Sequence, residues 1–248
     1  MSEKYCAVID TETTWSDEVM SIGVVIADAT TFECVDKRYY ILNPEYRHGA
    51  MYSGALHIEK GIIATRREVM VMIQGLLERY QVSSVLAYNA GFDYKHLPEL
   101  DYVSWYDIMK IAAYRQYNQK IPAYTEFCRS GRMKRNFGVE SMTHILTGSA
   151  RYRETHNAVR DAVDELAIMR YLGHPLTLYQ ENAVIYEIRK KEAGLDEKMS
   201  AKEAAESLGV SVSQVYALIK ENVLQAKKEG RSYRISRISV DEYIKNNG

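Results

Sequence analysis

Asp10 and Glu12 stand two residues apart in Val8-Ile9-Asp10-Thr11-Glu12-Thr13, at the end of an apolar run with the composition of a strand. Alternate side chains of a strand share a face, so the two carboxylates project together. Asp93 closes a second run, Tyr88-Asn89-Ala90-Gly91-Phe92-Asp93, just past another apolar stretch. Asp161 ends His156-Asn157-Ala158-Val159-Arg160-Asp161, where helical spacing begins. Clustered carboxylates repel one another, and a hard divalent cation with oxygen ligands makes such a cluster tolerable. Two such cations about 4 Å apart form a clamp suited to in-line attack on a phosphodiester. An imidazole accepts a proton near neutral pH, which the carboxylates of a metal site do not, so His156 is the candidate general base. At ~100° per residue, a five-residue offset on a helix would place His156 and Asp161 about 140° apart, approaching from different sides.

In order and context, strand-end Asp-x-Glu, post-strand Asp and His-x-Ala-x-x-Asp resemble the three motifs of the DEDDh 3′→5′ exonucleases, which include proofreading subunits of replicative polymerases. The resemblance spans roughly residues 4 to 173, with looser matches at Asn43-Pro44-Glu45 and Leu56-His57-Ile58-Glu59-Lys60-Gly61-Ile62. It implies two divalent ions, Mg²⁺ or Mn²⁺. Asp10, Glu12 and Asp161 would hold one, Asp10 would bridge to the second, and Asp93 would assist. It also implies that Thr13, Thr14 and His57 touch the terminal nucleotide of a single-stranded 3′ end. The variant of the family with Tyr as base has it four residues before the Asp; that position is Asn157 here, which favours the histidine class. Arg151 and Arg153, just before His156, and the run Arg129, Arg132, Lys134, Arg135 are placed to follow a phosphate backbone.

The elements that must position these residues are legible. Tyr5–Ile9, Met20–Ala27 and Glu33–Leu42 read as a three-strand meander. Arg66–Tyr80 carries a helical stripe of Val69, Met70, Ile73, Leu76 and Leu77. Ser83–Tyr88 and Val103–Tyr106 read as strands, with helices near Ile108–Tyr117, Val139–Leu146 and Asn157–Leu172, the last ended by Gly173-His174-Pro175. Small Ala158 and Ala162 suit close approach of that last helix to the sheet. The expected fold is an α/β, ribonuclease H-like mixed five-stranded sheet flanked by helices.

Three units are expected: an exonuclease domain over 1–175, a connecting helix or linker over 176–198, and a small domain over 199–248. In the last, Ser200 and Glu203 form a capping box, a second short helix follows a Gly turn, and Gln225–Lys228 and Ser232–Ile235 read as a hairpin. This stretch resembles the winged helix-turn-helix domains of the excisionase and MerR type. It holds five Lys and three Arg against five Glu and one Asp, a local net charge of +2. Gln214 and Lys220 on the second helix, and Lys227, Arg231 and Arg234 on the wing, are the expected contacts to duplex DNA.

The chain has 248 residues and a formal net charge of −1, so no global attraction to nucleic acid or anionic membrane is expected. Its three cysteines, Cys6, Cys34 and Cys128, are far apart, as for reduced thiols that fill a core. With no basic-then-apolar leader and no stretch near the ~18 apolar residues of a membrane span, a cytoplasmic protein without membrane contact is expected. Besides the DNA exonuclease, two other readings stand: a non-catalytic, excisionase-like regulator, and an RNA-trimming enzyme whose C-terminal domain contacts a protein. Oligomeric state and protein partners are not legible.

Overall fold

The computed structural model describes residues 3–188, 198–221, 223–229, 232–237, 239–240 and 243–244. The chain divides into two compact units, Met1–Glu187 and Ile188–Gly248.

The first unit is built on a seven-stranded sheet. β1 (Tyr5–Thr13), β2 (Val19–Asp28) and β3 (Cys34–Leu42) form the antiparallel meander, as the polar breaks between them require. β5 (Ser84–Ala87) and β6 (Ser104–Asp107) join parallel to β1. Two short edge strands, β4 (Ile62–Ala64) and β7 (Val184–Tyr186), complete the order β4-β3-β2-β1-β5-β6-β7. The expected five-strand sheet is thus two strands short, because both additions are three-residue runs with no alternation to read.

In the connecting helix or linker expected over 176–198, the first helix is short. α6 covers only Leu176–Asn182, and the next residues pair with β6. The apolar run Ala183-Val184-Ile185-Tyr186 suits an edge strand, and β6 has amides and carbonyls to satisfy there. Asp107 N donates to Ala183 O at 2.8 Å, and Lys110 Nζ to Val184 O at 2.9 Å. Residues 189–197 lie outside the described residues.

Two apolar cores sandwich the sheet. β1 sends Cys6 and Val8 to one face, where Ala162, Leu166 and Met169 of α5 (Ala158–Leu172) meet them. Ala7 and Ile9 go to the other, against Val69, Met70, Ile73, Leu76 and Leu77 of α1 (Arg66–Arg79). α1 begins at a Thr65–Glu68 capping box, and its buried face is the expected stripe. Of the cysteines only Cys6 fills a core; Cys34 is exposed and Cys128 half-buried.

By strand alternation, Asp10 and Glu12 fall on the α5 face. Opposite Asp10 on β2 stands Gly23. A Cβ there would lie 2.2 Å from the Ala158 carbonyl oxygen and 2.4 Å from Val159 Cα. The first turn of α5 therefore rests on bare backbone beside Asp10. Gly23→Ala should cost on the order of 1–3 kcal/mol as overpacking, because the atoms it meets are backbone that cannot rotate away. Urea denaturation measures this; a midpoint equal to the parent's would show that the helix does not sit there.

Candidate active site

Three elements deliver the acidic groups to one place. β1 supplies Asp10 and Glu12, α2 (Gly91–His96) supplies Asp93, and α5 supplies Asp161. α5 also brings Glu165, one turn beyond Asp161 and only 2% exposed. The sequence reading missed Glu165, although its i+4 offset from Asp161 on a helix was the available signal.

Each carboxylate is treated differently. Asp93 Oδ1 accepts from Thr11 N at 3.0 Å and Thr11 Oγ1 at 2.8 Å, so the residue between Asp10 and Glu12 orients the third acid. Asp161 Oδ2 accepts from Asn157 N at 2.8 Å, and its Oδ1 from Thr155 Oγ1 at 3.1 Å. Glu165 Oε2 accepts from Tyr88 N at 3.0 Å. Asp10 Oδ2 is enclosed and has no hydrogen-bond partner.

Burial raises all of these groups, and repulsion within the cluster adds to it at Asp10, Glu12 and Glu165. Enclosure, then the charges of Glu165, Asp93, Glu12 and Asp161, hold the Asp10 carboxyl well above the usual range. Burial and Asp161 push Glu12 up to about 8. Burial takes Asp93 to about 7 despite the Thr11 hydrogen bonds that oppose the shift. Asp161 is raised chiefly by burial, and Glu165 by burial and then Asp93. Glu154 is lifted to about 7 by burial and Asp161, a second acid the sequence reading missed. An orphaned carboxylate oxygen among like charges is what a divalent cation would relieve, and the donors are the hard oxygens that Mg²⁺ or Mn²⁺ prefers. The residues therefore fit the implied metals.

His156 belongs to this group, by a route different from the expected one. α5 starts at Ala158 with Asn157 as its N-cap, so His156 lies before the helix and the 140° offset does not apply. Its backbone is left-handed, with φ 52°. Its ring stacks on Tyr52, with centroids 3.5 Å apart and planes 13° from parallel. A ring nitrogen of His156 and a carboxylate oxygen from each of Glu12 and Asp161 lie within 4.8 Å of one another. The Tyr52 contact spans 104 positions of the chain, so no local pattern could reveal it.

The expected substrate contacts fare unevenly. Thr14 is buried and its hydroxyl accepts from the amides of Ser16 and Glu18, so it closes a turn and does not face a ligand. Thr13 is half-buried, at a register shift in β1. His57 is exposed, in a left-handed turn, with Nδ1 3.6 Å from Glu59. Asn157 Nδ2 donates to Ala55 O at 2.7 Å and Tyr39 OH at 3.2 Å, fixing that loop to the start of α5. Arg151 is exposed; Arg153 is exposed but turned toward Glu140 at 3.6 Å. In the basic run, Arg132 covers the Phe137 ring at 4.8 Å and Lys134 pairs with Glu126 at 3.4 Å.

In the second unit, the helices Ala201–Leu208 and Val212–Lys220 flank Gly209, whose φ is 65°. β8 (Lys198–Met199), β9 (Ala226–Glu229) and β10 (Ser232–Ser236) form a small sheet in the order β8-β10-β9. Gln214, one of the expected DNA contacts, is exposed, and its Oε1 accepts from Ser211 N at 2.8 Å and Ser211 Oγ at 2.9 Å, completing a capping box. Lys220, Lys227 and Arg234 are exposed, and Lys227 stands directly opposite Arg234 across the hairpin. Arg231 lies outside the described residues.

Residues 199–248 match a family described as a helix-turn-helix domain. No curated protein matches the chain. Among solved structures, the nuclease domain of 3'hExo, a DEDDh family member, bound to rAMP, superposes with a TM-score of 0.51 at 16% identity, covering 75% of this chain and 98% of that one. A full-length 3'-exonuclease gives 0.49 at 16% identity over 73% and 84% of the two chains. The zinc-bound complex of E. coli exonuclease I with single-stranded DNA gives 0.48 at 14% identity over 69% and 40%. The likeness to the first of these is one of fold, the ribonuclease H-like arrangement expected from the motifs. Among the described residues no helix is long and apolar enough to cross a membrane.

The raised carboxyls set a pH dependence whose sign follows from linkage. Each titrates higher folded than unfolded, so its stabilising contribution is complete below the ordinary values of 3.8 and 4.5 and is lost as pH rises through about 7 for Asp93 and about 8 for Glu12. In EDTA, the melting temperature should therefore fall across that window. Excess Mg²⁺ or Mn²⁺ should oppose the fall by binding the folded form. Asp10→Asn should flatten the EDTA profile and shrink the metal-induced rise. Equal metal-induced rises in parent and variant would remove Asp10 from the ligand set.

Proposed function

We propose that this chain is a metal-dependent exonuclease that releases nucleoside monophosphates stepwise from 3′ ends, with DNA the favoured substrate. The observation that carries the reading is the enclosed Asp10 Oδ2, without a partner among four other raised carboxyls, beside His156. A folded scaffold without catalysis gains nothing from that repulsion, which argues against the non-catalytic regulator. The rAMP in the DEDDh nuclease domain of similar fold is a nucleoside monophosphate, the product class this reading requires.

Asp10, Glu12, Asp93 and Asp161 would hold the divalent ions. When bound, these supply Lewis-acid stabilisation of charge building on the phosphoryl oxygens and lower the pKa of water. His156, held by the Tyr52 face, takes the proton from the attacking water, and its separation from the chain of α5 lets the ring reach a site the helix itself does not occupy. Thr11 keeps the Asp93 carboxylate aimed at Asp10, and Asn157 and Thr155 do the same for Asp161. Thr13, His57 and Arg151 are the residues left free to meet the terminal nucleotide.

The second unit is assigned to duplex DNA, with Lys220, Lys227, Arg231 and Arg234 on phosphates. Lys227 and Arg234 stand directly opposite on the hairpin, which places both on one face to meet neighbouring phosphates.

Incubation with 5′-labelled single strands, duplex DNA and RNA, with Mg²⁺, Mn²⁺ or EDTA, tests the activity. A descending ladder dependent on metal is expected, whereas a circular single strand cut as readily as a linear one would overturn the exonuclease reading. His156→Ala should lower kcat by roughly 10²–10⁴-fold, the usual contribution of a positioned general base, while keeping the metal-induced rise in melting temperature. Near-full activity in that variant would place the base elsewhere. Lys227→Ala with Arg234→Ala should weaken duplex binding uniformly across sequences and lower its salt slope by about 2. Unchanged duplex affinity at low salt would transfer this unit to a protein partner.

A further inference from the structure

On the outer side of the turn that carries His156, two concavities of about 290 and 220 Å³ share the side chains of Lys37 and Arg160 as walls. The first adds Lys60 and Asn157; the second adds Arg153 and Thr155. Three separate segments contribute the cations: Lys37 from β3, Lys60 from the loop before β4, and Arg160 from the first turn of α5. All three are exposed. Among the described residues no carboxylate lies within ion-pair distance of Lys37, Lys60 or Arg160. Asp164 also lines the second concavity and draws on the charge of Arg160, yet the cations around the two concavities outnumber it, and a polyanion is their natural complement.

The position of the concavities narrows what that polyanion is. Thr155 and Asn157 line them and are also the two residues that donate to Asp161, on either side of His156. The concavities and the carboxylate site are therefore neighbours, with a single turn of backbone between them. Neither concavity offers a stack of bare aromatic rings or a fork of paired donors and acceptors, so a base is not read there. The chemistry suits repeated phosphates and is indifferent to sequence.

We propose that Lys37, Lys60 and Arg160 form a backbone-phosphate track that holds the strand behind its 3′-terminal nucleotide. This rests on the exonuclease reading and deepens it, by assigning the side of the site from which a single strand arrives. The track would give affinity that grows with strand length and falls with salt, leaving the terminal base free of discrimination.

The test uses the full chain and the triple variant Lys37→Ala, Lys60→Ala, Arg160→Ala. kcat/KM is measured on a twelve-nucleotide single strand and on a dinucleotide, between 50 and 200 mM salt with Mn²⁺. Each phosphate contact to a single strand contributes about 0.7 to the slope of log affinity against log salt, so the variant's slope on the long strand should be shallower by about 2. Across that fourfold change in salt the parent should lose about sixteenfold more than the variant. The dinucleotide has one phosphodiester, the scissile one, and should lose far less on substitution than the long strand. Equal losses on both substrates, or an unchanged slope, would overturn the track. Fluorescence anisotropy of the labelled strand in EDTA separates this from failure of the exonuclease reading. A parent that hydrolyses neither substrate defeats that reading, while the anisotropy difference between parent and variant still decides the track. Identical anisotropy curves would mean that the cations serve an acidic protein surface and not nucleic acid.

Discussion

Like charges forced together in a buried place are the constraint on which the first unit is organised. Asp10, Glu12, Asp93, Asp161 and Glu165 come from β1, α2 and α5, and the last four all raise the first. Left to themselves, these groups would drive the three elements apart. The apolar cores on the two faces of the sheet hold the elements in register against that force, and Asp93, Asp161 and Glu165 are also tied by named donors. Asp10 is raised by all four of the others, and there protons or cations must supply what hydrogen bonds do not.

The same constraint explains why α5 is the most closely fitted helix. Its first turn approaches β2 so nearly that Gly23 can carry no side chain. Its N-cap Asn157 spends its side-chain amide on the loop at Ala55 and its backbone amide on Asp161. The residue before that cap then has little freedom left. His156 takes a left-handed conformation uncommon for a residue with a side chain, and it does so against the flat face of Tyr52. Strain of this kind persists where the surroundings overdetermine it, and here both the helix cap and the stacked ring do so.

Much of this was legible in the sequence, and the exceptions share a cause. Alternation along β1 places Asp10 and Glu12 on one face, and the α1 stripe predicts the buried residues of that helix, because both patterns are local and periodic. What escaped is nonlocal or a matter of side-chain competition. Thr14 and Gln214 have the right chemistry to touch a ligand, yet each satisfies backbone amides two to four residues away. Short polar side chains readily prefer such local partners, and type alone cannot show which they choose. β7 was hidden in an apolar run too short to distinguish strand from helix. Tyr52 and the Lys37, Lys60, Arg160 group are visible only after the chain has folded.

The charge cluster also governs how the site meets pH. Raised carboxyls hold protons up to about 7 at Asp93 and about 8 at Glu12, so near neutrality protons and divalent cations compete for the same oxygens. Each cation bound must displace protons, which makes its affinity climb with pH through that range. Saturating cation in turn pulls the carboxylates' titration to lower pH. The fall in stability that the raised carboxyls cause in EDTA and the gain that metal gives are thus two sides of one equilibrium, set by how many like charges the site must hold at once.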